Sequence, residues 1–243
     1  MRIPLSSPTP SHPDPIERPA KGVDRIGLLL AFACVVFFAS AVNAEDGWRV
    51  RTQATEETAY ELSERDVPSS TALRYRLEAN LPAPLPAVVA ALEALQSDEA
   101  LLGAGEERRV LARNGDERTV WMLARAPIVD DREVVVRMRG RFEDEGTYRL
   151  AWTTDGAVGP PPGKGAIRVS SSEGFWRLED AGAGHTRVHY ESFSEAGGRI
   201  PAWVIARASR SRIVADFRTL EGLAQRPTPD GEPSALPAVT AGP

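Results

Sequence analysis

From residue 73 to residue 193 the chain alternates between period-two stretches and clusters of turn residues. In "ALRYRLEANL", Leu73, Tyr75 and Leu77 interleave with Arg74, Arg76 and Glu78, the pattern of a strand with one buried face. Residues 133–141 repeat it, with Val134, Val136 and Met138 against Arg137, Arg139 and Arg141. Residues 147–154 turn Tyr148, Leu150 and Trp152 one way. Strands are also predicted at 48–54, 59–64, 108–113, 119–124, 166–171, 174–179 and 186–193. Asn114-Gly115 makes a hairpin between 108–113 and 119–124.

Two segments break the alternation. "AVVAALEALQ" follows Pro82, Pro84 and Pro86, so a helix is predicted over residues 84–96, with proline accepted in its first turn. After Gly197-Gly198, a long helix runs from Ile200 with two stripes. Ala206, Ser209, Ile213, Phe217, Leu220 and Ala224 recur at spacings of three and four and form an apolar row. Trp203, Arg207, Arg210, Val214, Arg218 and Glu221 form a second row. A sheet with one solvated face needs a cover for the other, and a curved sheet wrapped around the terminal helix supplies it. The expected class is α+β, with an apolar space between sheet and helix.

Composition adjusts this picture at the ends. Residues 26–42, "IGLLLAFACVVFFASAV", carry no charge, follow Lys21 and Arg25, and lead to Val42 and Ala44 before Glu45 and Asp46. That reads as a signal peptide over residues 1–44 with a long Pro-rich lead, and an exported, periplasmic or secreted product. An uncleaved anchor is the rival reading, although 17 residues is short for a span. Cys34, the chain's one cysteine, lies in this run, so the mature part has no disulfide or thiolate chemistry. Removing residues 1–44, with four basic and three acidic side chains, takes the net charge from −5 to −6. An acidic chain of this kind is no general nucleic-acid binder. The Pro-rich segment 226–243 holds too little apolar surface to fold and reads as disordered.

Five stretches then fall into a known order: "PIVDDREVVVRM" (127–138), "PPGKGAIRV" (161–169), "FWRLE" (175–179), "TRVHYESFSEAGGRIPAWV" (186–204) and the final helix. Together they resemble the START family, the steroidogenic acute regulatory-related lipid transfer domains, over residues 48–225. The resemblance implies a helix-grip fold, an internal lipid cavity and no catalysis. The family's Arg-Asp pair corresponds to Arg132-Glu133, with Glu in place of Asp. The loop 126–131, with Pro127 and Asp131, corresponds to a gate beside the last helix. Ile167-Arg168 and Gly198-Arg199-Ile200-Pro201 match two further family steps. Some sterol-binding members carry an arginine six residues after the first one, paired with a carboxylate in the cavity. Here Met138 stands there, and Arg137 is on the opposite strand face. A cavity ion pair for a sterol hydroxyl is therefore not expected, and an acyl chain or isoprenoid fits as well.

The expected cavity lining is Met122, Val134, Val136, Met138, Tyr148, Leu150, Trp152, Arg168, Tyr190, Ile213, Phe217 and Leu220. A filled core has the same composition. Arg168 either meets a head group or pairs with a carboxylate such as Glu133. Trp203, Arg207, Arg210 and Arg218 are the expected docking face for anionic membrane lipids. His185 and His189 share a strand face, but only Glu191 is at hand as a third metal ligand, so no metal is expected. Nucleophile-elbow, zinc-protease, dinucleotide and P-loop motifs are lacking. The expected function is therefore carriage or sensing of a lipid or sterol-like ligand by a monomer without cofactor, through transient membrane contact. The alternatives are a helix-grip cyclase or hydrolase, or a ligand-free envelope interaction module.

Overall fold

The computed structural model describes residues 47–55, 57–125, 129–156 and 158–226. The expected signal peptide, nearly all of the C-terminal tail and Pro127 lie outside the described residues. Ten strands form one sheet: β1 (Arg49–Thr52), β2 (Tyr60–Asp66), β3 (Leu73–Leu81), β4 (Glu106–Asn114), β5 (Glu117–Ala124), β6 (Asp131–Asp144), β7 (Thr147–Thr154), β8 (Ala166–Arg168), β9 (Ser172–Gly182) and β10 (His185–Ser194). Their order is β1-β2-β3-β10-β9-β7-β6-β5-β4, antiparallel throughout, with β8 added parallel to β6. The parallel addition was not legible in the alternation pattern.

Helix α1 (Leu85–Ser97) links β3 to β4, and α2 (Ala202–Ala224) closes the described chain. Prolines at the first positions of α1 remove donors that a helix start leaves unpaired in any case. α2 packs on α1 and β3. Its row Ile213, Phe217, Leu220 and Ala224 is buried, with Phe217 and Leu220 at 0% exposure. Ala206 and Ser209 are half-buried, and the Ser209 hydroxyl bonds Tyr75. Phe217 meets the Tyr60 ring edge-on at 5.3 Å.

Strand parity divides the sheet into two faces. Val134, Val136 and Met138 of β6 join the core under α2. Glu133 and Val135 alternate with them and are buried on the other face, with Trp121 and Val169. Gly174 is required by packing, since a Cβ there would overlap the Trp152 ring and the Glu191 carbonyl. Because Phe217 is fully enclosed, Phe217→Ala should lower the unfolding free energy by about 3–5 kcal/mol, read by chemical denaturation.

Candidate ligand-binding site

The helix α2 is gripped from both ends of the strand order. Arg210 Nη1 donates to Glu64 Oε2 on β2 at 2.9 Å. Two positions on, Arg212 pairs with Glu106 of β4 and donates from Nε to Asp216 at 2.9 Å. β2 and β4 stand near opposite edges of the sheet, so one helix can reach both only if the sheet curls around it. Glu64 is 1% exposed and also receives Arg51 Nε at 2.7 Å, with Arg49 3.9 Å away. A buried carboxylate is tolerable only with such partners.

This corrects one expectation. Arg210 is half-buried and committed to Glu64, so it is not part of an outward docking face. Trp203, Arg207 and Arg218 do face outward. Trp203 is 70% exposed, and Arg207 has no ion pair among the described residues. Arg218 lies 6.0 Å from the centre of the Tyr60 ring.

Arg168 requires a second correction. Its Nε donates to Glu133 Oε1 at 2.9 Å and its Nη2 to the Pro160 carbonyl at 2.6 Å. Glu133 Oε2 in turn accepts from Trp121 Nε1 at 3.1 Å. The three groups lie on the face away from the core and fasten the loop after β7. Arg168 therefore lines no cavity under α2. The paired-carboxylate reading, with Glu133 as partner, is the one that holds.

Arg132 organises the approach to α2. Its Nε donates to the Ala196 carbonyl at 3.1 Å, its Nη2 to the Gly197 carbonyl at 3.0 Å, and its Nη1 to the Asp130 carbonyl. One guanidinium thus joins Asp130, just before β6, to the segment that leads into α2. Gly198 sits at φ +70°, and a Cβ there would lie 2.9 Å from Arg132 Nη2. Only glycine fits both conditions without strain. Asp131 opens β6 beside this anchor.

The other expected lining residues are assembled, but as a packed core. Val136, Met138, Tyr148, Leu150, Tyr190, Ile213, Phe217 and Leu220 are buried in it, with Met122, Val134 and Trp152 packed against it. Trp152 and Trp176 both contact the Tyr190 ring, at 5.9 and 4.4 Å. Burial drives the Tyr190 and Tyr148 hydroxyls well above the usual phenol range, so both are neutral. An open cleft of about 610 Å³ lies elsewhere, along the clamp, between β1–β2 and α2. Arg51, Thr52, Leu62, Arg210, Ser211 and Val214 border it. The sequence reading missed this cleft because its walls come from segments about 150 residues apart.

An ion pair near Met138 does occur, between β5 and α1. Arg118 on β5 lies opposite Met138 and donates from Nη1 to Glu93 Oε2 of α1 at 2.7 Å. Tyr148 Oη donates to the other Glu93 oxygen at 2.5 Å. His189 sits between Glu78 and Glu191 at 3.4 and 3.2 Å, and no cluster suited to a metal ion occurs among the described residues.

A curved antiparallel sheet closed by a C-terminal helix defines the helix-grip class. The START domain model matches residues 120–229, a stretch that begins within β5 and includes the whole of α2. The fold is similar to human STARD10, with TM-score 0.63 and 15% identity over 77% of this chain and 76% of that one. It is similar to the STAR-related lipid transfer protein of Xanthomonas axonopodis, with TM-score 0.58 and 23% identity over 74% and 97%. Uncharacterized protein PA1579 of Pseudomonas aeruginosa is 28% identical over 208 residues, 84% of this chain and 96% of its own.

Asp216 gives the clamp a pH signature. Burial raises its carboxyl above the usual range, against the opposing pull of Arg212 and Arg108. A raised acid binds its proton more tightly folded than unfolded, so its contribution to stability declines as pH rises through that window. Asp216→Asn removes this term. Measured by denaturation, the stability of the variant relative to wild type should therefore improve between about pH 3 and pH 6. Loss of the Arg212 contact adds an offset that does not change over that range.

Proposed function

We propose that this protein binds one hydrophobic ligand between the sheet and α2, and exchanges it at a membrane surface. The observation that supports the reading most is the division of α2 into distinct sides. One side is wholly apolar and covers the core. The two flanks of that side carry Arg210 and Arg212, whose ion pairs hold the helix to opposite sheet edges. The outward side exposes Trp203 and Arg207 at the helix start.

In this reading α2 is a lid. Its leading end is tied through Arg132 to the loop before β6, so the two move together. Near an anionic bilayer, the exposed tryptophan enters the interface while Arg207 and Arg218 meet the head groups. The Glu64 and Glu106 contacts then loosen, because their carboxylates compete with lipid phosphates for the same arginines. The 610 Å³ cleft beside Leu62 and Val214 is where the opening starts. Apolar burial supplies the driving force, at about 25 cal/mol per Å² removed from water. The mechanism moves no proton and forms no covalent bond, and the chain works as an exported monomer.

Native mass spectrometry of the protein from its own host, followed by lipid extraction, tests the ligand. The expected result is one unchanged apolar molecule per chain. A ligand-free protein that also moves no lipid between vesicles contradicts the reading. For docking, Trp203→Ala with Arg207→Glu should cut co-sedimentation with phosphatidylglycerol vesicles severalfold, since each basic residue near such a surface contributes about 1 kcal/mol.

A further inference from the structure

Two arginines on the inner face of the sheet have donors that nothing among the described residues accepts. Arg118 stands opposite Met138, and Arg108 of β4 stands opposite Met122, so both share the face of the core. Arg118 spends Nη1 on Glu93, and Arg108 spends Nη1 on the Leu95 carbonyl at 3.0 Å. Nε and Nη2 of Arg118, and Nε of Arg108, are buried without a partner among the described residues. Unsatisfied buried donors on a charged group are costly, and few persist in a native fold.

The two unpartnered nitrogens of Arg118 are not an arbitrary pair. Nε–H and the adjacent N–H of Nη2 run parallel along one edge of the guanidinium. That fork matches the two oxygens of a carboxylate, whereas one hydroxyl oxygen fits it poorly. The surroundings select the same charge. Burial holds Arg108 below its usual range against the opposing pull of Asp216, and the neighbouring charge of Arg118 adds to the lowering. An anion between the two guanidiniums would relieve both effects. Glu93 is already held by Arg118 Nη1 and Tyr148, so it does not occupy this edge.

We propose that the Nε–Nη2 edge of Arg118, with Arg108 beside it, binds the carboxylate of a long-chain fatty acid. The chain of the acid lies along Met122, Met138 and Trp152, which share that face. It does not enter through the open cleft of about 400 Å³ behind Arg108, because Glu99, Glu106 and Glu107 border that opening. The assignment rests on the reading that an apolar ligand occupies the interior, and it names the head group that reading leaves open.

Equilibrium titration of the full chain with oleate and with oleyl alcohol separates the two statements. Wild type should bind oleate at least about tenfold more tightly than oleyl alcohol, the effect of a charge-assisted pair. Arg118→Gln should abolish that preference, and Arg108→Gln should reduce it. Thermal unfolding identifies any variant that fails to fold, and the wild-type comparison needs no variant. Equal wild-type affinity for both ligands overturns the carboxylate assignment and leaves the apolar site standing. A preference for oleate that survives both substitutions overturns the choice of residues. Binding of neither ligand overturns this assignment and the underlying function together.

Discussion

The clamp on α2 is the constraint from which the rest of the molecule follows. Arg210 and Arg212 are two residues apart on a helix, so they project to different sides. One meets Glu64 on β2 and the other Glu106 on β4. Those strands lie near opposite ends of the sheet, and holding both to one helix requires the sheet to curl. The curl creates the enclosed apolar interior, and Phe217 and Leu220 fill it from the helix side.

The two ion pairs differ in kind. Glu64 is buried and served by three arginines, so removing any single arginine leaves the carboxylate partly paired. Arg212 is divided between Glu106 and the raised Asp216. A charged contact of this sort gives geometric definition more than net stability, since desolvation offsets much of the attraction. That balance suits a helix whose place must be accurately defined. The Arg132 anchor acts similarly at the helix entrance, where it donates to three backbone carbonyls.

Most of the fold was legible because local rules decided it. Period two located the strands within a few residues, and spacings of three and four picked out the buried row of α2. Faces were legible where parity ran unbroken, as in Val134, Val136 and Met138. Partners were not. Arg210 looked like a surface arginine because Glu64 lies 146 residues earlier in the chain. Arg168, between two apolar neighbours, was left open between a head group and Glu133, and the parallel pairing of β8 with β6 decides for Glu133. Arg118 could have been found, because residues 118, 120 and 122 share a face. Arg108 could not. A register shift between Val110 and Ala112 sets it opposite Met122 in place of Leu123, which moves it from the outer face to the inner one.

The central claim is that α2 is a lid held by its clamp and not a permanent part of the core. Hydrogen–deuterium exchange resolved along the chain tests it most directly, in wild type and in Glu64→Gln. The account predicts that amides of Ala202–Ala224 open at lower free energy than those of β3, β9 and β10, and that Glu64→Gln speeds their exchange selectively. Exchange of α2 only by global unfolding, in step with the central strands in both proteins, would contradict it.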